Sequence, residues 1–340
     1  MTERAFPRQV GDIQTAVVTL VDRLASVVPV SCQPGLAREI AEVIVSRPSS
    51  MANSMFLRQS IIRRGIATHD HVVDGLAAWV TVLFDLGNLQ HDRRRALHLK
   101  ATIPNQALDL LSQAISTSRN GCILAVPHIG SLELFAAHLK DRGFNVGFVY
   151  TIGKAPTPTE QWIYNGRSAI EGTGIPVGRR STGDAISKVL QANGVVIMAV
   201  DVYPSDKYKG IRVNIHDAEF NYPPGPARFA RSGTLVLPGF ASRRNEEGFS
   251  MNILDPLDYP TCLPVQDAAS ELTQRLAVRV DGFTAEQPEA YWLWHPIPND
   301  PFLAVAQRQR PELLSSSSAV PPDDESAALA VEAMCLRLTA

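Results

Sequence analysis

The sequence predicts an α/β protein: a central, mostly parallel mixed sheet flanked by helices, with an N-terminal helical region. Three observations predict it. Short apolar runs such as Cys122–Val126 and Val195–Val200 are too brief for helices and are uncharged throughout, as buried parallel strands are. Segments between these runs repeat their apolar residues at helical spacing. Before about residue 115, only the helical period is found. Strands alternating with helices imply a sheet covered on both faces.

In the N-terminal part, Ile13, Ala16, Val17, Leu20, Val21 and Leu24 follow a 3.6-residue period. Leu36–Val45 repeats it after Pro34-Gly35, and Val72–Leu86 and Ala107–Ile115 complete the set. Pro104-Asn105 opens the last of these helices, because proline tolerates only the first helical turn. Asp92-Arg93-Arg94-Arg95 reads as a solvated helix face.

The character changes at Gly121. Cys122–Val126 is the first strand, and Ser131 caps a helix to about Lys140 with Glu133 in its first turn. Val146–Tyr150 is the next strand, followed by a helix near Thr159–Glu171 and a short strand, Gly174–Val177. Thr182–Ala192 is a helix closed by Asn193-Gly194, and Val195–Val200 is the clearest strand. Ile211–Ile215 alternates in polarity, as a half-exposed strand does. Pro223-Pro224-Gly225 leads to a helix over Ala227–Ser232. Leu235–Phe240 and Phe249–Leu254 pair across a turn at 245–248, and a long helix spans Val265–Gln287.

Three regions follow: an N-terminal helical region packed on the core over 1–115, an α/β core over 116–310, and a flexible linker with a possible C-terminal helix over 311–340. Ser315–Ser318 and Pro321-Pro322-Asp323-Asp324-Glu325 have linker composition. Ala327–Leu338 is amphipathic, and it either docks as a helix or stays a partly ordered tail.

The 340 residues are 45% hydrophobic, enough for a sizeable core. A net charge of -2 gives no footprint for a nucleic-acid partner, so none is expected. The four cysteines are widely spaced, without a C-x-x-C pair, and are expected as structural thiols. His69-Asp70-His71 has no third ligand nearby, so no metal is expected. No secretory signal is visible. No uncharged apolar run approaches the ~20 residues of a spanning helix. The best stretch, Val72–Leu86, carries Asp74 and Asp85. These features lead to the expectation of a cytoplasmic protein with at most peripheral membrane contact.

His128 lies just past a strand's carboxyl end, where open α/β sheets bind ligands. A neutral imidazole there can take a proton from an attacking hydroxyl or amine. Glu133 stands five residues on, and a loop through Ile129-Gly130-Ser131 can bring its carboxylate to the second ring nitrogen. Gly130 removes bulk at the turn, and the following helix N-terminus, capped by Ser131, offers amide donors to developing negative charge. Read this way, His128 and Glu133 are the catalytic pair.

The run Ile123 to Glu133 resembles the H-x-x-x-x-[DE] motif of the lysophospholipid acyltransferase superfamily. It is more closely similar to the bacterial lipid A lauroyl/myristoyl acyltransferases, a family that includes phosphatidylinositol mannoside acyltransferases. Four further blocks follow in that family's order: Asn165-Gly166-Arg167, the strand 194–200 ending in Asp201, the segment 223–233, and Pro288-Glu289-Ala290-Tyr291-Trp292-Leu293-Trp294-His295. Three features depart from the family pattern. No hydrophobic anchor opens the chain, His295 is followed by Pro296-Ile297-Pro298, and Asn214–Phe220 replaces an aromatic, glycine-rich stretch.

The resemblance implies acyl transfer from a thioester, on coenzyme A or acyl carrier protein, to a hydroxyl or amine. His128 would be the general base and Glu133 its orienter, with no cofactor beyond the acyl donor. Arg167 could stabilise the oxyanion or bind a phosphate, since its fork suits anions. Asp201 could bind the acceptor or a helix N-terminus. Arg228 and Arg231, three apart on one helix, could meet the phosphates of coenzyme A or an acidic carrier protein. The missing anchor favours a small-molecule or carrier-bound acceptor over a membrane lipid. Two alternatives remain: thioester hydrolysis at the same site, and a non-catalytic module that binds acyl chains or carrier protein.

Overall fold

Strand β2 (Cys122–Val126) occupies the middle of a seven-stranded sheet, and its neighbours position the candidate site. The computed structural model describes residues 13–47, 49–98, 101–118, 120–151, 156–170, 174–177, 181–201, 210–216, 218–242, 245–246, 248–292, 301–317 and 323–339. The other strands are β1 (Ala101–Thr102), β3 (Val146–Thr151), β4 (Gly174–Val177), β5 (Val195–Ala199), β8 (Leu235–Ala241) and β9 (Phe249–Ile253). Their order is β1-β9-β8-β2-β5-β3-β4, and every pairing is parallel except β8 with β9. This is the mostly parallel mixed sheet expected.

Side chains of β2 alternate between two cores. Cys122, Leu124 and Val126 enter one apolar cluster, and Ile123 and Ala125 enter the other. Strand β5 divides the same way, Val195 and Ile197 against Val196 and Met198. Burial on both faces explains why these strands are continuous apolar runs. Helices α6 (Asn105–Thr117) and α7 (Leu132–Asp141) cover the first face, while α9 (Thr182–Gln191), α10 (Gly225–Ala230) and α11 (Val265–Glu286) cover the second. Burial also pushes the Cys122 thiol up to about 12, which leaves it inert. Cys32, Cys122 and Cys262 are free thiols.

The N-terminal region is helical, as expected. It comprises α1 (Ile13–Ala25), α2 (Gln33–Val45), α3 (Ser50–Ile62), α4 (His69–His91) and α5 (Arg93–Leu97). Helix α4 is long and apolar enough to cross a membrane, yet 94% of its most apolar window is buried inside the fold. It is the core helix of the annex, packed by α1, α2, α3 and α8 (Pro158–Ser168). Its N-terminus is a capping box in which Thr68 and His71 each bond the other's backbone.

Helix α3 departs from the expected pattern. It buries Arg58, Gln59 and Ser60 beside Leu57, Ile61 and Ile62, so its burial follows no simple apolar stripe. Strand β7 (Ala218–Tyr222) is also additional, and pairs with β6 (Ile211–Ile215) as a separate antiparallel hairpin. The hairpin docks on α11 through the Gln274 side chain, which bonds both backbone groups of Asn214. His216 Nδ1 adds a contact 2.7 Å from Asp281 Oδ1.

Near the C-terminus, Pro311–Ser317 forms α13 where the composition suggests a linker, and Pro301–Gln309 forms α12. Helix α14 (Asp324–Thr339) docks on α1 and α2, the helical alternative for the amphipathic tail. Residues 318–322 and the departure at Pro296-Ile297-Pro298 lie outside the described residues.

Candidate active site

Parallel register brings two distant residues level. Val126 at the end of β2 pairs with Ala199 at the end of β5, and His128 and Asp201 each stand two residues past that pair. The Asp201 carboxylate holds His128 at two points. Oδ2 accepts the His128 backbone N–H at 2.7 Å, and Oδ1 lies 2.7 Å from Nδ1. Both residues are buried, Asp201 to 1% exposure. An ionised carboxylate has only acceptors, so Nδ1 carries the proton and donates it. In the neutral ring this tautomer leaves Nε2 as the basic nitrogen. No hydrogen bond to Nε2 occurs among the described residues.

A strap holds the other side of the His128 loop. Pro288–Ala290 is a single helical turn, after which Tyr291 bridges Ile129 in antiparallel fashion. Ala290 O accepts Gly130 N–H at 3.2 Å, and His128 O accepts Trp292 N–H at 3.1 Å. The Trp292 indole N–H donates to Gly130 O at 2.6 Å, and its ring meets the imidazole edge to face at 5.0 Å. His128 is thus held by a carboxylate, a backbone ladder and an aromatic ring.

Gly130 is required by the backbone. Its φ is +61°, and a Cβ there would lie 2.4 Å from Ser242 O and 2.7 Å from Ala241 O. The loop therefore presses on the end of β8. Ser131 follows as the N-cap of α7, its hydroxyl accepting Leu134 N–H at 3.3 Å. The first turn of α7 leaves amide donors without intrahelical acceptors beside the loop.

Glu133, expected from its spacing to meet the second ring nitrogen of His128, is directed elsewhere. It sits fully buried in the first turn of α7, and its Oε1 accepts from Arg167 Nε of α8 at 2.9 Å. The position it was expected to fill belongs to Asp201. The physical reason is the adjacency of β2 and β5, which puts a strand-end carboxylate beside the ring while α7 turns Glu133 toward α8. Oε2 of Glu133 is buried without a hydrogen-bond partner among the described residues. Arg167 uses Nε on Glu133, and its terminal nitrogens make no hydrogen bond among the described residues.

The structure thus joins His128 to Asp201 and Glu133 to Arg167, and sets Gly130 and Ser131 in the loop between. It does not bring in Arg228 and Arg231. Arg228 is exposed on α10 and Arg231 exposed at its C-cap, and no bond or ion pair among the described residues links them to the His128 group. Trp292 belongs to the site although it was not singled out for it. Its signal was present in the Pro288-Glu289-Ala290-Tyr291-Trp292 block. Among the described residues, no cluster of three or more His, Cys, Asp or Glu side chains could hold a metal ion.

A base aimed by a buried carboxylate, next to the amides of a helix N-terminus, can deprotonate a hydroxyl or amine and stabilise the resulting oxyanion. A family model described as bacterial lipid A biosynthesis acyltransferase matches residues 74–297, about two thirds of the chain. No curated protein matches.

Proposed function

The chain belongs to the bacterial lipid A biosynthesis acyltransferase family and is an acyltransferase, and from that premise we propose that it moves an acyl group from a thioester to a hydroxyl or amine acceptor. Coenzyme A or acyl carrier protein would present the thioester, and no further cofactor is needed because the thioester already activates the acyl group. The observation that carries this reading is the His128–Asp201 pair at the carboxyl edge of β2 and β5.

In the proposed reaction Nε2 of His128 takes the acceptor's proton as its oxygen or nitrogen attacks the thioester carbonyl. The new C–O or C–N bond forms, and negative charge gathers on the carbonyl oxygen. The carbonyl then reforms, the C–S bond breaks, and the imidazolium returns its proton to the thiolate. Asp201 stabilises the imidazolium throughout. Arg167, tethered by Glu133, supplies its terminal nitrogens to the oxyanion or to a donor phosphate. Arg228 and Arg231 remain assigned to the phosphates of coenzyme A or to an acidic carrier. Direct attack requires no acyl-enzyme. We place the reaction in the cytoplasm, where these thioesters are made, with any membrane contact peripheral.

Incubation with acyl-coenzyme A or acyl carrier protein and a panel of acceptors tests this. The panel includes soluble alcohols and amines beside glycolipids in vesicles, and acylated product is followed by mass spectrometry. Product that disappears in His128→Ala is expected. Unchanged transfer by His128→Ala overturns the assignment of the base. Free acid formed equally fast without any acceptor assigns the site to hydrolysis instead.

A further inference from the structure

The strap that holds His128 is itself held by a helix outside the family-matched residues. Gln59 of α3 is fully buried, and its Nε2 donates to Pro288 O at 2.9 Å. Arg63, one turn on, donates from Nε to Gln59 Oε1 at 3.2 Å and pairs through Nη2 with Glu289 Oε2 at 3.3 Å. Helix α3 and its C-cap Arg63 therefore grip two consecutive residues of the strap with two side chains that also bond each other. Facing α4 leaves room for this. A Cβ at Gly75 would meet Met55 Sδ at 2.6 Å and Gln59 Nε2 at 3.1 Å. From the other side, Phe302 of α12 packs on Tyr291 with ring centroids 6.0 Å apart.

Helix α3 is anchored in turn. Asp324, at the start of α14, accepts both the backbone N–H and the hydroxyl of Ser50 at 2.7 Å. Arg58 lies 5.3 Å over the Phe302 ring. Two C-terminal helices, α12 and α14, thus converge on the helix that supports the strap.

We propose that Gln59 and Arg63 are positioning residues for His128, acting through Pro288, Glu289 and Trp292. They touch neither His128 nor any reacting atom. Their effect is on where the imidazole sits. A buried amide donor on Pro288 O fixes the start of the strap, and the strap bonds His128 O and Gly130 N on the far side of its turn. Loss of the Gln59 donor leaves Pro288 O with only the longer Tyr291 N–H bond at 3.3 Å, inside the strap itself, and removes the tie to α3. The imidazole then loses its edge contact with Trp292 and its alignment. A misplacement near 1 Å costs on the order of a hundredfold in rate. The inference rests on His128 being the base.

The test uses the full chain with Gln59→Met, which keeps length and removes the donor. Reaction of each histidine with diethylpyrocarbonate is mapped by mass spectrometry. His128 is expected to react several-fold faster than in the wild type, while His138, buried on α7 against Phe249 rather than against the strap, keeps its rate. In the transfer assay, kcat is expected to fall by about tenfold to a hundredfold, with KM within twofold. If Gln59→Met does not fold, Glu289→Gln removes the Arg63 pair from the half-exposed end and is expected to shift His128 in the same direction by less. Unchanged His128 reactivity overturns the proposal, as does a rise shared equally by His138. The labelling reads the strap without any transfer, so an enzyme inactive on every acceptor would refute the proposed function while the labelling still decides this inference.

Discussion

Asp201 closes two bonds on His128, one to the ring and one to the backbone, from 73 residues further along the chain. One carboxylate therefore sets both the tautomer of the imidazole and the path of the loop that carries it. Asp201→Asn would present an amide that matches only one of these bonds as an acceptor. The amide nitrogen, if turned to Nδ1, selects the wrong tautomer. A fall in kcat of about 10² to 10⁴ is expected, with the melting temperature lowered only modestly. Steady-state kinetics and thermal melts of the same preparation check it, and a loss confined to KM would contradict it.

Glu133 and Arg167 form a pair whose carboxylate is wholly buried and whose guanidinium side chain is partly buried, 16% exposed. Removing the base alone leaves an uncompensated buried carboxylate, a loss of about 3 kcal/mol or more. Arg167→Met is therefore expected to be more destabilised than the double variant Glu133→Gln/Arg167→Met. Urea denaturation of the four corners of this cycle measures the coupling, and additive losses would show that the pair is not a unit.

Gly130→Ala combines a positive φ with a Cβ that collides with two backbone carbonyls of the β8 end. Neither oxygen belongs to a flexible side chain, so the strand or the loop must shift. A destabilisation of about 1–3 kcal/mol is expected, together with loss of transfer. Near-wild-type stability and rate would mean that the loop adopts another turn.

His138 predicts an acid sensitivity of its own. It is buried on α7, with its ring 5.6 Å from Phe249, and Nε2 has no partner among the described residues. Burial first, and the Arg142 charge second, push its pKa down to about 4. The unfolded state takes up the proton near 6.5 and the folded state only near 4, so stability falls as pH drops through that interval. The expected loss between pH 7 and pH 4 is on the order of 2–3 kcal/mol. Asp281, held below the usual carboxylate range chiefly by its hydrogen bond to His216, contributes stability that is lost at lower pH still. Denaturation series at several pH values should show the slope between 6.5 and 4 in the wild type and a reduced slope in His138→Leu. An equal slope in both proteins would assign it to other groups.

The central strands of the sheet were legible because burial on both faces leaves little room for polar residues, as in β2 and β5, whereas the two-residue edge strand β1, within the region read as helical, was too short and too exposed to register. Helix α4 was legible in its apolar middle, and its capping box extends it to His69. Helix α3 was not. Gln59 and Arg58 are buried because they have partners on α12 and the strap, and such partners do not register as periodicity. The site divided the same way. The types and positions of His128, Glu133, Arg167 and Asp201 could be named, since each sits at a strand end or in a helix turn. Their pairing could not, because it depends on which strands are neighbours. Spacing favoured the carboxylate five residues away, whereas the sheet supplies the one level with the histidine.

The middle position of β2 also sets when the site can form during synthesis. Its partners are β5 and β8, and the strap arrives later still, at 288–292. The strand and loop carrying His128 therefore leave the ribosome with both edges and one side of the loop uncovered. They stay so until most of the chain has followed. Contacts between such distant segments are slow to close, and an apolar strand with two open edges is prone to pair with other chains meanwhile. The arrangement that buries the histidine so completely makes its strand a late-closing part of the nascent chain, open to pairing with other chains until β5, β8 and the strap have followed.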